Sequence, residues 1–181
     1  MSKSWILQHS LCKTLVFMDD FKQSLQRANG ILQQLGKLNG IDIELDEAGI
    51  GYVEVENKYA VTLQLTNSGN FLKLTAYVGE HRSNSDPKTL EYLLACNYEA
   101  DFLKGCTVGL CTLSRRYTLS FMHALFDDDV HLLNNCVLNL GMVIKALDEE
   151  LERRRREEEI AKSNQAKSAP TGLANFMAKR L

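Results

Sequence analysis

The sequence lacks three features that would each indicate a common class of protein. It has five cysteines among 181 residues, an odd number with no Cys-X-X-Cys pair. This argues against a disulfide framework and favours reduced thiols in a cytosol. No uninterrupted run approaches the roughly 18 apolar residues that a membrane span needs, so we expect no membrane insertion. Polar residues interrupt the apolar N-terminal stretch and no small-residue cleavage site follows it, so we predict no signal peptide.

Motifs of catalysis and ligand binding are also missing. None of the four histidines lies in a His-Glu-X-X-His arrangement or beside a cysteine at metal-ligand spacing, so we predict no metal site and no cofactor. Walker, EF-hand and dinucleotide-binding motifs are absent as well. We therefore expect that the protein is not an enzyme. The alternative is a small enzyme whose site is assembled from dispersed residues such as His123, Asp127 and Cys111.

Charge is distributed unevenly along the chain. Residues 1–150 carry 13 basic and 19 acidic side chains, whereas residues 151–181 carry 8 basic and 4 acidic ones. An acidic body repels phosphate backbones, so we expect no nucleic-acid partner. The arginine run 153–156 leaves open an adaptor for nucleic acids or membrane surfaces. Because three glutamates follow it and no aromatic side chain is interleaved, a solvated helix end is the favoured interpretation.

The hydrophobic periodicity of the first half predicts one helix and a group of strands. Apolar residues recur at three- and four-residue steps from Phe17 to Leu35, which is typical of a helix, and the glycines that follow end it. From Ile41 to Val78 the period changes to two, and short polar turns separate the alternating segments. This pattern predicts an antiparallel meander that starts at or shortly after Ile41.

The second half predicts two further strands between two helices. Asp86-Pro87 is typical of a helix start, and alternating segments follow at 107–113 and 117–125. After three aspartates, apolar residues from Val130 to Leu151 recur at alternating steps of three and four, which predicts the longest helix. The predicted order is α-β-β-β-α-β-β-α. The fold class is therefore α+β, an antiparallel sheet flanked by helices.

One ordinary domain accounts for this length. We assign it to residues 17–152. Residues 1–16 form an N-terminal extension, and residues 153–181 form a charged helical extension with a basic tail.

The segment from Leu90 to Leu151 resembles the second half of the CesT (Tir chaperone) family of type III secretion chaperones. The similarity lies in a short helix that ends in Leu94-Ala95-Cys96-Asn97, a glycine before two strands, an acidic turn and a long amphipathic helix. Upstream, an apolar helix followed by IELDEAG at 43–49 is similar to the first half of that family. The resemblance extends over about residues 17–152.

The resemblance implies a secretion-chaperone-like fold and a non-enzymatic function. Such chaperones are small cytoplasmic homodimers of bacteria that bind the N-terminal region of secreted effectors without ATP. They keep that region extended and secretion-competent. The resemblance further implies that this chain binds one or more effectors and a second copy of itself. The secretion ATPase is a further candidate partner.

The resemblance also implies two sets of site residues. Dimerisation is assigned to the short helix, with Leu90, Leu93, Leu94, Asn97 and Tyr98, for which packing within the subunit is the alternative. Effector binding is assigned to apolar residues of the first helix and the meander: Phe21, Leu25, Leu32, Val53, Val55 and Leu63.

Overall fold

The computed structural model describes residues 3–56, 58–80, 87–125 and 129–168, with side chains left undescribed at 3–19, 80, 100 and 165–168. Its elements, in chain order, are α1 (Lys3–Asn39), β1 (Ile50–Val55), β2 (Tyr59–Leu65), β3 (Phe71–Glu80), α2 (Pro87–Tyr98), α3 (Ala100–Leu103), β4 (Thr107–Cys111), β5 (Arg116–Ala124) and α4 (Val130–Ser168). The predicted α+β class is confirmed, and the predicted order needs only the short α3 added. Asp86, Asp127 and residues 169–181 lie outside the described residues.

The five strands form one antiparallel sheet in the order β1-β2-β3-β5-β4. The first three strands are the predicted meander, and β4 and β5 form a hairpin that joins β3 through β5. The segment with α2 and α3 connects β3 to β4. In this strand order, β1 and β4 are the two edges of the sheet. Both edges are places where another chain could pair.

The core lies between one face of this sheet and the helices α1 and α4. Alternate residues of the three central strands point inward and are fully buried, as at Leu63, Leu74 and Leu119. The heptad-like seam of α4 packs on them through Leu133, Leu140, Ile144 and Leu147. The sequence periodicity therefore identified the buried side of both the sheet and the longest helix.

Helix α4 is long and apolar enough between Val130 and Asn164 to cross a membrane, by length and composition alone. Its buried seam is the main source of that apolar character, because leucine and isoleucine recur there at heptad spacing. The core helix of a globular domain meets the same criterion, and the buried seam of α4 packs as such a helix does.

The segment 41–46 is irregular, although its alternation predicted the start of the meander. Helix α1 ends with Gly40 in a left-handed conformation and the amide of Ile41 bonded to the carbonyl of Gly36 at 3.0 Å, so the chain turns back sharply. The side chain of Asn29 then accepts from the Leu45 amide at 2.8 Å and donates to its carbonyl at 3.2 Å. Ile43 and Leu45 are buried, as the alternation predicts, but the backbone of Leu45 bonds to the Asn29 side chain and not to a neighbouring strand.

The predicted domain boundaries fall inside helices. Helix α1 runs without a break past Phe17, and α4 continues past Glu152 to Ser168. The predicted charged extension is therefore helical at least as far as Ser168. The assignment of residues 17–152 as the domain stays a prediction.

Candidate functional site

A cleft opens where the C-terminal end of α1, segment 41–46, β1 and α4 meet. Ile41 and Ile43 line one side, Val53 and Val55 line the floor, and Leu138 lies on the wall formed by α4. Its volume is about 210 Å³. This is smaller than the roughly 300–1,000 Å³ of typical small-molecule pockets, so its size suits one or two apolar side chains of a protein partner.

Exposed apolar side chains surround this cleft. Leu38 at the end of α1, Ile41, and Leu138 and Met142 on α4 are all large hydrophobic residues exposed to solvent. Glu54 and Glu56 add acidic groups at the β1 side of the cleft. A cluster of this kind beside an apolar hollow, with charged groups beside it, is typical of a surface that another protein covers.

An ion pair joins the turn between β1 and β2 to α4, outside the residues that line the cleft. The Lys58 ammonium lies 2.7 Å from Asp148 Oδ2 on α4, and the Tyr59 hydroxyl donates to the same oxygen at 2.9 Å. Burial raises the pKa of Asp148, but these two hydrogen bonds outweigh it, so its net pKa lies below the usual value. The turn is therefore tied to α4 while Asp148 is ionised.

The edge strand β1 offers backbone groups next to the cleft. At the start of the strand, Asp46 covers both backbone groups of Ile50 that point away from β2. The Asp46 backbone amide donates to the Ile50 carbonyl, and the Ile50 amide donates to Asp46 Oδ1, each at 2.8 Å. Because pairing alternates along an antiparallel strand, the amides and carbonyls of Tyr52 and Glu54 also point away from β2. Within the described residues these groups have no hydrogen-bond partner. This part of the edge is open to an added strand.

The other edge, at β4, is partly closed by a side chain of the same subunit. The side-chain oxygen of Asn97 accepts from the Val108 backbone amide at 2.8 Å, and its side-chain nitrogen donates to the Val108 carbonyl at 3.0 Å. Asn97, which was predicted to lie at the dimer interface, thus uses its polar groups to hold α2 against β4. Each edge is therefore capped at one residue by the same subunit, β4 at Val108 and β1 at Ile50, and β1 stays open at Tyr52 and Glu54.

Helix α2 presents an apolar face to solvent. Leu90, Leu94 and Tyr98 follow one another at four-residue steps and are 36%, 68% and 93% exposed. Leu93 and Cys96 lie on the opposite side of the helix and are buried in the core. Leu93 therefore packs inside the subunit, while Leu90, Leu94 and Tyr98 remain available to a partner.

The residues predicted to bind the effector separate into three groups. Leu32 and Leu63 are fully buried in the core and have no surface to offer a partner in the folded subunit. Phe21 and Leu25 are partly buried on α1 and pack against the same core.

Val53 and Val55 form the third group and line the cleft, and their assignment to effector binding stays a prediction. The sequence reasoning missed Leu38, Ile41 and Leu138 as surface residues. Only the surplus of apolar residues on α1 and α4 could have indicated them.

Two of the three residues proposed for a dispersed enzyme site, Cys111 and His123, do not converge. Cys111 is at the end of β4 opposite Arg116, and His123 lies seven residues further along β5 on the other face of the sheet. Seven strand residues span roughly 23 Å. The Ser114 hydroxyl hydrogen-bonds to Cys111 and holds the pKa of its thiol below the usual value, but His123 is not within reach.

The described part of the chain contains no cluster of three or more histidine, cysteine, aspartate or glutamate side chains that could hold a metal ion.

The arginine run is largely neutralised by neighbouring carboxylates on α4. Arg153 and Arg154 both hydrogen-bond to Glu150 at 2.7 Å, and Arg155 bonds to Glu152 at 2.6 Å. Hydrogen bonds from Arg153 and then from Arg154 lower the pKa of Glu150 to about 2. These pairs sit at helical spacing, as in a charged, partly solvated helix.

Comparison with known proteins identifies the family. The model of the Tir chaperone protein (CesT) family matches residues 30–143, which include the end of α1, the whole sheet, α2 and the first part of α4. The chain belongs to the CesT family of type III secretion chaperones. The resemblance inferred from the sequence is confirmed. A search of curated proteins found no match.

Solved structures share the CesT fold at low sequence identity. A chain of the HopA1–SchA chaperone–effector complex is similar with a TM-score of 0.60 and 18% identity, over 70% of this chain and 97% of that one. A chain of the ExsC–ExsE complex gives 0.59 and 17%, over 69% and 93%. The Yersinia pestis type III secretion chaperone SycH, solved with a fragment of YscM2, gives 0.53 and 19%, over 66% and 98%.

Proposed function

We propose that this CesT-family protein binds the N-terminal region of one or more type III secretion effectors as a homodimer. It keeps that region extended and secretion-competent and delivers it to the secretion machinery, where the secretion ATPase is a further candidate partner. It catalyses no reaction and hydrolyses no ATP. The observation that carries the proposal is the open edge of β1 beside an apolar cleft.

An extended peptide satisfies its backbone by adding to a sheet edge and places alternate side chains in pockets. The edge of β1 supplies outward groups at Tyr52 and Glu54, and the cleft beside it is floored by Val53 and Val55. A segment paired there would bury one or two apolar side chains near Leu138. A peptide held in this way is kept from folding on itself.

The similarity to a chain of the HopA1–SchA chaperone–effector complex supports an effector as the occupant. Likeness of fold alone gives an analogy, so we infer binding from the open edge and the cleft.

The second part of the proposal concerns the homodimer. The exposed face of α2 is a short apolar stripe that one subunit leaves uncovered, and two copies related by a two-fold axis would bury it against itself. Asn97 orients this helix by its two bonds to β4. Dimerisation through α2 leaves the cleft at the other edge of the sheet free for the effector.

We place this activity in the bacterial cytoplasm. The cysteines whose side chains are described, namely Cys96, Cys106, Cys111 and Cys136, are free thiols. Unpaired cysteines are typical of proteins in reducing compartments.

Proline at Tyr52 tests effector binding at the β1 edge. Tyr52→Pro removes an amide that points away from β2, so the sheet keeps its internal pairing while an added strand loses one hydrogen bond and meets the ring. Tyr52→Ala is the matched control, since it removes the side chain and keeps the amide. We expect the N-terminal hundred or so residues of a co-encoded effector to bind about tenfold more weakly to Tyr52→Pro and within about twofold to Tyr52→Ala.

Binding would be measured by isothermal titration calorimetry, with circular dichroism to show that both variants are folded. Equal affinity of the two variants would contradict strand addition at this edge. Failure of the wild-type protein to bind any co-encoded secreted protein would contradict the proposed function as a whole.

A further inference from the structure

The extension of α4 beyond the family match contacts α2 directly. The Arg154 guanidinium stacks on the Tyr92 ring, with 3.9 Å between the guanidinium carbon and the ring centroid. Its Nε donates to Glu150 Oε1 at 2.7 Å, and the side chain is only 29% exposed. A guanidinium held flat over an aromatic ring and fixed by a carboxylate is a stronger contact than an exposed surface ion pair.

The neighbouring arginines make contacts of another kind. Arg153 bonds to Glu150 and Glu157, and Arg155 bonds to Glu152, so both pair along α4 itself. Arg154 bonds to Glu150 in the same way but also reaches across to α2. The family match ends at residue 143, so this contact belongs to a part of the chain that the family assignment does not include.

Helix α2 depends on such contacts for its orientation. It has 12 residues, a length at which an isolated helix is marginal in water. Leu93 and Cys96 anchor it in the core, Asn97 bonds it to β4, and Tyr92 carries the contact with Arg154. The contact at Tyr92 and the bond at Asn97 lie on different turns, so together they constrain rotation of α2 about its axis.

We propose that Arg154 is a positioning residue for the homodimer: by clamping Tyr92 it holds α2 so that Leu90, Leu94 and Tyr98 face a second copy of this chain. The segment of α4 beyond the family match is then part of dimer assembly rather than a free charged tail. This inference rests on the proposed function, because it assumes dimerisation through α2. It assigns no role to Arg154 in effector binding.

The test compares the full-length variants Arg154→Ala and Arg155→Ala in a dimer dissociation assay by sedimentation equilibrium. Both remove one arginine from the same turn of α4, but only the first removes the contact with Tyr92. Because a symmetric dimer contains the clamp twice, we expect Arg154→Ala to raise the dimer dissociation constant about five- to thirtyfold. Arg155→Ala should change it less than about twofold.

Variants at Tyr92 separate positioning from general stability. Tyr92→Phe keeps the ring and should dimerise like the wild type, whereas Tyr92→Leu should reproduce the effect of Arg154→Ala. The double variant Arg154→Ala/Tyr92→Leu should be no weaker than either single variant. Hydrogen exchange should rise in residues 90–98 of Arg154→Ala and stay unchanged in the sheet.

Two results overturn the inference and leave the proposed function intact. One is a wild-type dimer whose dissociation constant is the same in Arg154→Ala. The other is an equal rise of hydrogen exchange throughout the subunit. A wild-type protein that stays monomeric at the highest concentration would instead overturn the proposed homodimer, so the two failures are distinguishable.

Discussion

Replacement of Leu94 by alanine gives the sharpest test of the proposed dimer. Leu94 is 68% exposed on α2, so about two-thirds of its side chain is left for a partner to bury. Complete burial of a leucine side chain contributes about 1.5–3 kcal/mol, so this share is worth about 1–2 kcal/mol per copy. A two-fold dimer contains the residue twice, and the total is therefore about 2–4 kcal/mol.

Since about 1.4 kcal/mol corresponds to a tenfold change in an equilibrium constant, Leu94→Ala should weaken the dimer by about 30- to 1,000-fold. Alanine keeps the Cβ contact, so we expect a value near the lower end of this range. Sedimentation equilibrium over a dilution series measures it directly, as a shift from twice 20.4 kDa towards the mass of one subunit.

Leu138→Ala is the matched control, because Leu138 is 54% exposed on another helix and lines the cleft. It should leave the dimer dissociation constant within about twofold and weaken effector binding about five- to tenfold. Leu94→Ala should instead weaken the dimer and leave the affinity for the effector within about twofold. The effector is titrated at concentrations where this variant is still dimeric. If both variants weaken the dimer equally, or if neither does, the assignment of the exposed α2 face as the dimer interface is refuted.

Three further predictions concern the stability of the subunit. Asn97→Ala removes two hydrogen bonds to the edge of β4 and should lower the free energy of unfolding by about 1–2 kcal/mol in urea titrations; an unchanged midpoint would show that water replaces the side chain without cost. Gly51→Ala places a methyl group 2.5 Å from the Glu44 carbonyl oxygen and should destabilise the protein by about 1–3 kcal/mol. Gly30→Ala adds a methyl group on a helix with no atom within 4 Å and should stabilise the protein by about 0.5–1 kcal/mol in the same titrations. The reverse order of stabilities would contradict this packing. The hydrogen bond from Arg153 is the main cause that lowers the pKa of Glu150 from 4.5 to about 2. The ionised carboxylate therefore contributes its full stability above pH 4.5, and this contribution is lost as the pH falls from 4.5 to about 2. In acid titrations, the difference in stability between wild type and Glu150→Gln should shrink over that interval and stay constant from pH 5 to 7.

Local patterns in the sequence were sufficient for most of the architecture. Period-two alternation with polar turns predicted β2, β3 and β5, because a strand with one buried face must alternate. The seam from Val130 to Leu151 predicted α4 for the equivalent reason at helical period. Segment 41–46 shows where this reasoning fails: alternation reports which side chains are buried, and the bonds from Asn29 replaced the strand pairing that alternation usually accompanies.

The sequence by itself determined the fold class and the side of each element that faces the core, since these follow from the spacing of apolar residues. The order of its motifs along the chain indicated the family by resemblance. Only the tertiary structure decided which apolar residues are surplus to that core. Leu32 and Leu63 are buried while Leu38 and Leu138 are exposed, because burial depends on which neighbours pack above each residue and not on its own identity. The open edge at Tyr52, the closed edge at Val108 and the stacking of Arg154 on Tyr92 likewise join residues far apart in the chain, which no local pattern can bring together.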